Sequence, residues 1–174
     1  MPDYRRENRG PTRLLSLPAL LLRRDLRGPL PAPQWPVGVH LRTYCPELAG
    51  AVHALLRLSH QGDSEPMPDL TTWQARFATD AEYDPQLCFI ACDGHGVVGV
   101  AHCWTSAYLK DLAVHPRARR QGLGHALLLH AFEVLQQRRE ACLDLQVLSH
   151  NHPARRLYQR AGMAPVPSPT PVRL

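Results

Sequence analysis

The stretch Leu112-Ala113-Val114-His115-Pro116-Arg117-Ala118-Arg119-Arg120-Gln121-Gly122-Leu123-Gly124-His125-Ala126-Leu127 constrains the fold more than any other. An apolar strand stops at His115-Pro116, three arginines fall within four positions, and Gly122-x-Gly124 opens a long helix. That helix carries Leu123, Ala126, Leu127, Phe132 and Leu135 at three- and four-residue steps, so one face is apolar. A buried strand feeding such a helix through a tight turn belongs to an α/β domain. Glycines at the turn let backbone approach a ligand closely. The first helix amides lack an internal acceptor, and the helix dipole adds positive charge beside the arginines. Together these features suit a diphosphate. No Gly-Lys-Ser/Thr follows, which excludes the nucleotide P-loop. The third glycine and the ribose-binding acid of the dinucleotide fingerprint are also missing.

The flanking sequence reads as one mixed domain. Val39, Leu41 and Thr43 alternate as a strand, and Cys45-Pro46-Glu47 opens a helix with Leu48, Val52, Leu55, Leu56 and Leu58 on one face. Residues 62–69 read as a loop, and Leu70 to about Ala81 as a short helix carrying Trp73 and Phe77. Asp93-Gly94-His95-Gly96 is a turn that joins Leu87–Cys92 to Val97–Thr105 in a hairpin. A strand over Tyr108–Val114 and a helix from Gly122 to about Glu140 follow. A strand over Ala141–Leu148 and a helix over Pro153–Ala161, stopped by Gly162, complete the pattern. The tail Met163–Leu174 has room for at most two very short strands.

Charge separates the ends of the chain. Residues 1–34 hold seven arginines against Asp3, Glu7 and Asp25, whereas the remainder is near neutral within a total of +5. Residues 1–36 therefore read as a basic, proline-rich arm ending in Pro29-Leu30-Pro31-Ala32-Pro33, and residues 37–174 as the domain. Leu14 to Leu22 follows basic residues as a signal peptide would, but Pro18 interrupts it and Arg23-Arg24 closes it without a small-residue cleavage site. The preferred reading has Ala19 to Leu22 packing on or pairing with the domain. No apolar run reaches the ~20 residues of a membrane span. Cys45, Cys88, Cys92, Cys103 and Cys142 form no CxxC pair, as in a cytoplasmic protein with reduced thiols. Aromatics at 6% argue against a stacking surface for single-stranded nucleic acid.

Two motifs in order resemble the GNAT acyltransferase superfamily. Arg119-Arg120-Gln121-Gly122-Leu123-Gly124 is similar to its Arg/Gln-x-x-Gly-x-Gly/Ala signature for the coenzyme A pyrophosphate. Asn151-His152-Pro153-Ala154-Arg155-Arg156-Leu157-Tyr158-Gln159-Arg160-Ala161-Gly162-Met163 resembles its second hallmark. The resemblance covers about residues 37–166. It implies a single α/β (α+β) domain whose mixed, mostly antiparallel central sheet is splayed between its fourth and fifth strands and flanked by helices. Acetyl-CoA is then the acyl donor, held by Leu112, Ala113, Val114, Arg119, Arg120, Gln121, Gly122, Leu123, Gly124 and Asn151. The acceptor is a primary amine of a small molecule or peptide, and Tyr158 protonates the departing thiolate in one ternary complex. Tyr158 also fits the apolar face of its helix, and Arg119 fits a solvated surface.

The general base is not evident. Tyr108 and Lys110 occupy the positions where relatives often carry it. Asp111 has the opposite strand parity and is expected to face away; His102, Glu82 and Asp84 are further candidates. His150, His152, His125 and His130 are the nearest approach to a metal cluster, but their spacing fits no site, and no metal is expected. The rival to an N-acetyltransferase is a non-catalytic acyl-CoA-binding module. Pro165, Pro167, Pro169 and Pro171 leave few donors for the family's last hairpin. Ala19 to Arg24 could replace a strand there, in cis or in a partner subunit, so a homodimer through the arm or a sheet edge stays open.

Overall fold

Seven strands join in one sheet in the computed structural model, which describes residues 18–60 and 66–167. They are β1 (Ala19–Asp25), β2 (His40–Thr43), β3 (Cys88–Asp93), β4 (Gly96–Trp104), β5 (Tyr108–Val114), β6 (Cys142–Leu148) and β7 (Ala164–Pro165). Their spatial order is β2-β3-β4-β5-β6-β1-β7, and only β5 and β6 pair in parallel. The residues before 18, positions 62–65 of the expected loop, and Pro169 and Pro171 lie outside the described residues.

Helices α1 (Ala49–Ser59) and α2 (Leu70–Thr79) cover one face; α3 (Leu123–Gln137) and α4 (His152–Arg160) cover the other. β3 shows why two layers form. Its alternate residues Cys88 and Ile90 pack with Val52, Leu55, Trp73 and Phe77, while Phe89 and Ala91 pack with Leu123, Leu127 and Phe132. Asp69 starts α2 by accepting the Thr72 amide at 2.9 Å, and Trp73 and Phe77, one turn apart, stack at 4.9 Å. Leu58, expected on the buried face of α1, is exposed: two residues after Leu56, it lies on the far side of the helix. Gly99 lets α3 lie close on β4, because a Cβ there would meet Leu127 Cδ1 at 2.8 Å.

The N-terminal strand is part of this sheet. β1 pairs with β6 over all seven residues, from Ala19↔Leu148 to Asp25↔Cys142. Leu22 and Leu26 are buried in the main core, and the Gln136 side chain donates to the Leu26 and Gly28 carbonyls. In the tail, which has room for at most two very short strands, Ala164–Pro165 pairs with β1 at Leu22↔Pro165 and Arg23↔Ala164. The Val166 amide adds a bond to the Leu21 carbonyl. Thus the seven-residue arm strand fills, in cis, the place between β6 and the tail.

Candidate active site

The sheet opens where its two parallel strands meet. β5 and β6 register only at Tyr108↔Asp144, beside a bond from the Asp144 amide to the Ala107 carbonyl. One step on, the Gln146 amide donates at 3.1 Å to the Tyr108 phenol instead of to a backbone carbonyl. Beyond that side-chain bridge the strands have no pairing, and the edge of β5 at Leu112–Val114 is left for another partner.

That edge forms one wall of a cavity of about 420 Å³. Leu112, Ala113, Val114, Arg119, Arg120, Gly122, Leu123, Gly124 and Tyr158 line it, together with Ser59, Ala118, His125, Pro153, Ala154, Leu157 and Arg160. The turn from β5 to α3 is built for close approach. Arg120 (φ 60°) and Gly122 (φ 83°) are left-handed, a conformation glycine adopts without Cβ strain. The first intrahelical bond of α3 runs from the Ala126 amide to the Gly122 carbonyl, so the preceding amides face outward from the helix start. Arg119 Nε donates to the Val114 carbonyl at 3.1 Å, which fixes this cation at the end of β5. Outward amides, the positive helix end and two arginines form a donor set that fits a diphosphate. The apolar walls at Leu112, Leu157 and Ala154 fit an uncharged chain leading from it.

Tyr158 is 9% exposed. Burial, with a smaller contribution from nearby Tyr108, pushes its phenol up to about 12, so the hydroxyl keeps its proton throughout the neutral range. Two expected residues are absent from the cavity wall. Asn151 spends its side-chain oxygen on the Ala154 amide at 3.2 Å and so caps α4; the Gln121 amide donates to the Arg117 carbonyl at 3.3 Å.

A second cavity, of about 290 Å³, lies on the α1 and α2 side of β5 and is lined by His60, Pro66, Met67, Pro68, Trp73, Arg76, Phe77, Lys110 and Asp111. Asp111 does point away from the Leu112 side, as strand parity requires, and that face opens into this cavity. A bulge where His102 pairs with Asp111 and Cys103 with Leu109 leaves Lys110 as the extra residue. Asp111 Oδ1 lies 3.6 Å from His60 Nε2, and Oδ2 lies 3.5 Å from His102 Nδ1. Burial alone would push the Asp111 carboxyl up. The imidazoles of His102 and His60, with Lys110, outweigh it and hold the group well below the usual carboxylate range.

The other candidate bases are engaged elsewhere. Lys110 pairs with Asp80 at 3.5 Å and lies over the Trp104 ring. Ser106 donates to Glu82, and Asp84 holds Arg138 at 2.6 Å. Tyr108 bridges to β6. His130 sits between Trp35 and Phe89, and His152 lines a third cavity beside Leu20 and Leu22. Among the described residues no group of three or more potential metal ligands converges. Sequence reading missed Ser59 and His60, because the end of α1 carries no motif; only the fold brings it to β5.

A sheet opened at one parallel pair, beside a glycine-opened helix, defines a GNAT-type acyltransferase domain. Comparison with known proteins agrees: the chain belongs to the Acetyltransferase (GNAT) family, whose model matches residues 51–163. It is 31% identical over 157 residues to a mycothiol acetyltransferase of Thermobispora bispora, covering 81% of this chain and 52% of that protein. It is 45% identical over 56 residues to the ribosomal protein bS18-alanine N-acetyltransferase of Escherichia coli, covering 32% of this chain and 38% of that one. A GCN5-related N-acetyltransferase structure from Sphaerobacter thermophilus superposes with a TM-score of 0.72 at 26% identity, over 85% of this chain and 48% of that one. The chain spans about half the length of the first curated relatives it matches. Among the described residues no helix is long and apolar enough to cross a membrane.

Proposed function

We propose that this chain transfers an acetyl group from acetyl-CoA to a primary amine of a small molecule or a protein, with both substrates bound at once. One observation carries the reading: two cavities adjoin β5, one walled by its residues Leu112, Ala113 and Val114 and the other by Lys110 and Asp111 just before them. The donor cavity has the cationic, amide-rich end that a pyrophosphate needs. Gly122 and Gly124 admit the phosphates to the backbone, Arg119 and Arg120 balance their charge, and the amides of Leu123 and Gly124 face them. The free edge of β5 at Leu112–Val114 bonds the amide-bearing arm of the donor, assisted by the Asn151 side-chain NH2. An amide of β5 near Leu112 or Ala113 polarises the thioester carbonyl. Tyr158, uncharged and buried, gives its proton to the departing sulfur. The relatives' names span a protein alanine and mycothiol, which is consistent with an amine acceptor and leaves its size open.

Calorimetric titration of acetyl-CoA tests this reading, with the Arg119→Glu/Arg120→Glu double variant alongside. Gly122 is left unchanged because any side chain would strain its positive φ. Micromolar binding to the wild type, reduced at least tenfold in a variant with an unchanged melting curve, is the expected result. Absence of binding by folded wild type overturns the reading. Binding with no turnover of any amine favours the acyl-CoA-binding module.

A further inference from the structure

The junction of the two cavities is occupied by the end of α1. Ser59 lines the donor cavity, and the next residue, His60, lines the other. The same step occurs on β5, where Leu112 faces the first cavity and Asp111 the second. His60 and Asp111 therefore meet beside the strand that both substrates would touch.

We infer that His60 accepts the proton shed by the acceptor amine, with Asp111 as the positioning residue that fixes the imidazole from behind. The inference rests on the acetyltransferase reading above. A base needs a place beside the reacting nitrogen and a third group to orient it: His60 lines the cavity against β5, and Asp111 Oδ1 lies 3.6 Å from its Nε2. Asp111 reaches His60 with one oxygen and His102 with the other. His102 is 1% exposed and ring-packed on Phe77 at 4.8 Å, and its Nδ1 lies 3.5 Å from Asp111 Oδ2. The carboxylate is thus held from both sides. Asp111 is itself too weak a base for the task, since its two imidazoles keep it ionised, whereas an imidazole titrates in the working range. At 41% side-chain exposure, His60 can return its proton to water.

Among the described residues, the charged and titratable groups around the cavity and behind Asp111 are Asp111 and Lys110 on β5, Arg76 on α2, His102 on β4, Cys88 on β3 and Arg57 in the last turn of α1. Burial pushes the Cys88 thiol up, so it stays neutral. In the step itself the acceptor nitrogen bonds to the acyl carbon and the carbon–sulfur bond breaks. A proton passes from nitrogen to His60, and another passes from Tyr158 to sulfur. Water then takes the first proton and restores the second.

The test is a pH–rate profile from pH 6 to 10 with acetyl-CoA and two probes, benzylamine and an alanine-initiated peptide. Wild type is compared with His60→Gln, Asp111→Asn and Asp111→Glu, and acetyl-CoA binding and melting curves are recorded for each. His60→Gln should bind acetyl-CoA normally, lose about 100-fold in kcat and lose the acid limb of the profile, with partial rescue by added imidazole. Asp111→Asn should move that limb about one unit towards acid, because the anion favouring the charged imidazole is gone, and Asp111→Glu should restore part of it. An unchanged kcat and acid limb in a folded His60→Gln variant overturns the inference while leaving the acetyltransferase intact. Acetyl-CoA binding without turnover of either probe by wild type overturns both together.

Discussion

The two halves of the sheet on either side of the opening are assembled differently. From β2 to β5, each strand pairs antiparallel with its successor in the chain: tight turns join β3, β4 and β5, and α1 and α2 carry the chain from β2 to β3. Beyond the opening, β6 is flanked by β1 from the N-terminal arm, and β1 by two residues of the tail. The first half pairs only strands that follow one another in the chain; the second must bring together residues more than 100 positions apart. The opening falls on the seam between them, where one pair, Tyr108↔Asp144, is the only parallel register in the sheet. A gap at a seam costs little pairing, because neither half's own ladder is interrupted.

Removing residues 1–34 tests this contrast most severely. It strips a seven-residue partner from β6, exposes the Leu143 and Leu145 core around the missing Leu22 and Leu26, and leaves two unpaired strand edges. The expected outcome is loss of the cooperative thermal transition and aggregation on expression. A truncated chain that melts within a few degrees of the full one would show that β1 is an accessory to a domain already complete.

Tyr158→Phe addresses the seam from its chemical side and should leave the fold intact. kcat is expected to fall about 100-fold, with acetyl-CoA affinity changed little. The pH dependence has a definite sign. Burial raises the phenol to about 12, so its protonated form persists through pH 10, and activity should not decline on the alkaline side through this group. An alkaline limb centred near 10 that disappears in Tyr158→Phe would mean the hydroxyl titrates as an exposed phenol does.

The same contrast governs what the sequence disclosed. Periodicity and turn chemistry located the elements of the local half closely: Tyr108–Val114 is the strand expected, and α3 starts one residue after the expected Gly122. Gly-x-Gly, Arg119 and Tyr158 were legible as a group because they lie on one strand–turn–helix unit and the helix packed beside it, and they line one cavity. The second cavity was not. Asp111, His102 and His60 come from three elements, and nothing in their spacing announces that a bulge and a helix end would bring them together. Asn151 shows what a motif leaves out: its residue type was legible, but not that its side-chain oxygen caps the helix it opens. The N-terminal strand lay between. Its apolar run was evident, and the proline-rich tail, short of ladder donors, left a place for it; only the register shows all seven residues paired.

Tyr108 makes the finest test of the seam, because a single hydroxyl stands where the next backbone pair would be. In Tyr108→Phe the ring and its stacking on Trp104 at 5.3 Å remain, and only the acceptor for the Gln146 amide is lost. A net loss of about 1 kcal/mol in chemical denaturation is expected, at the scale of one intramolecular hydrogen bond. Amide exchange at Gln146 should accelerate, while amides of β3 and β4 keep their protection. If the phenol also sets how far β5 and β6 part, acetyl-CoA binds more weakly to the variant, since the free edge at Leu112–Val114 can close or drift. Unchanged exchange at Gln146 would show that the divergence is held by the two core layers alone, and that the opening belongs to the packing of α1 and α3 rather than to the seam.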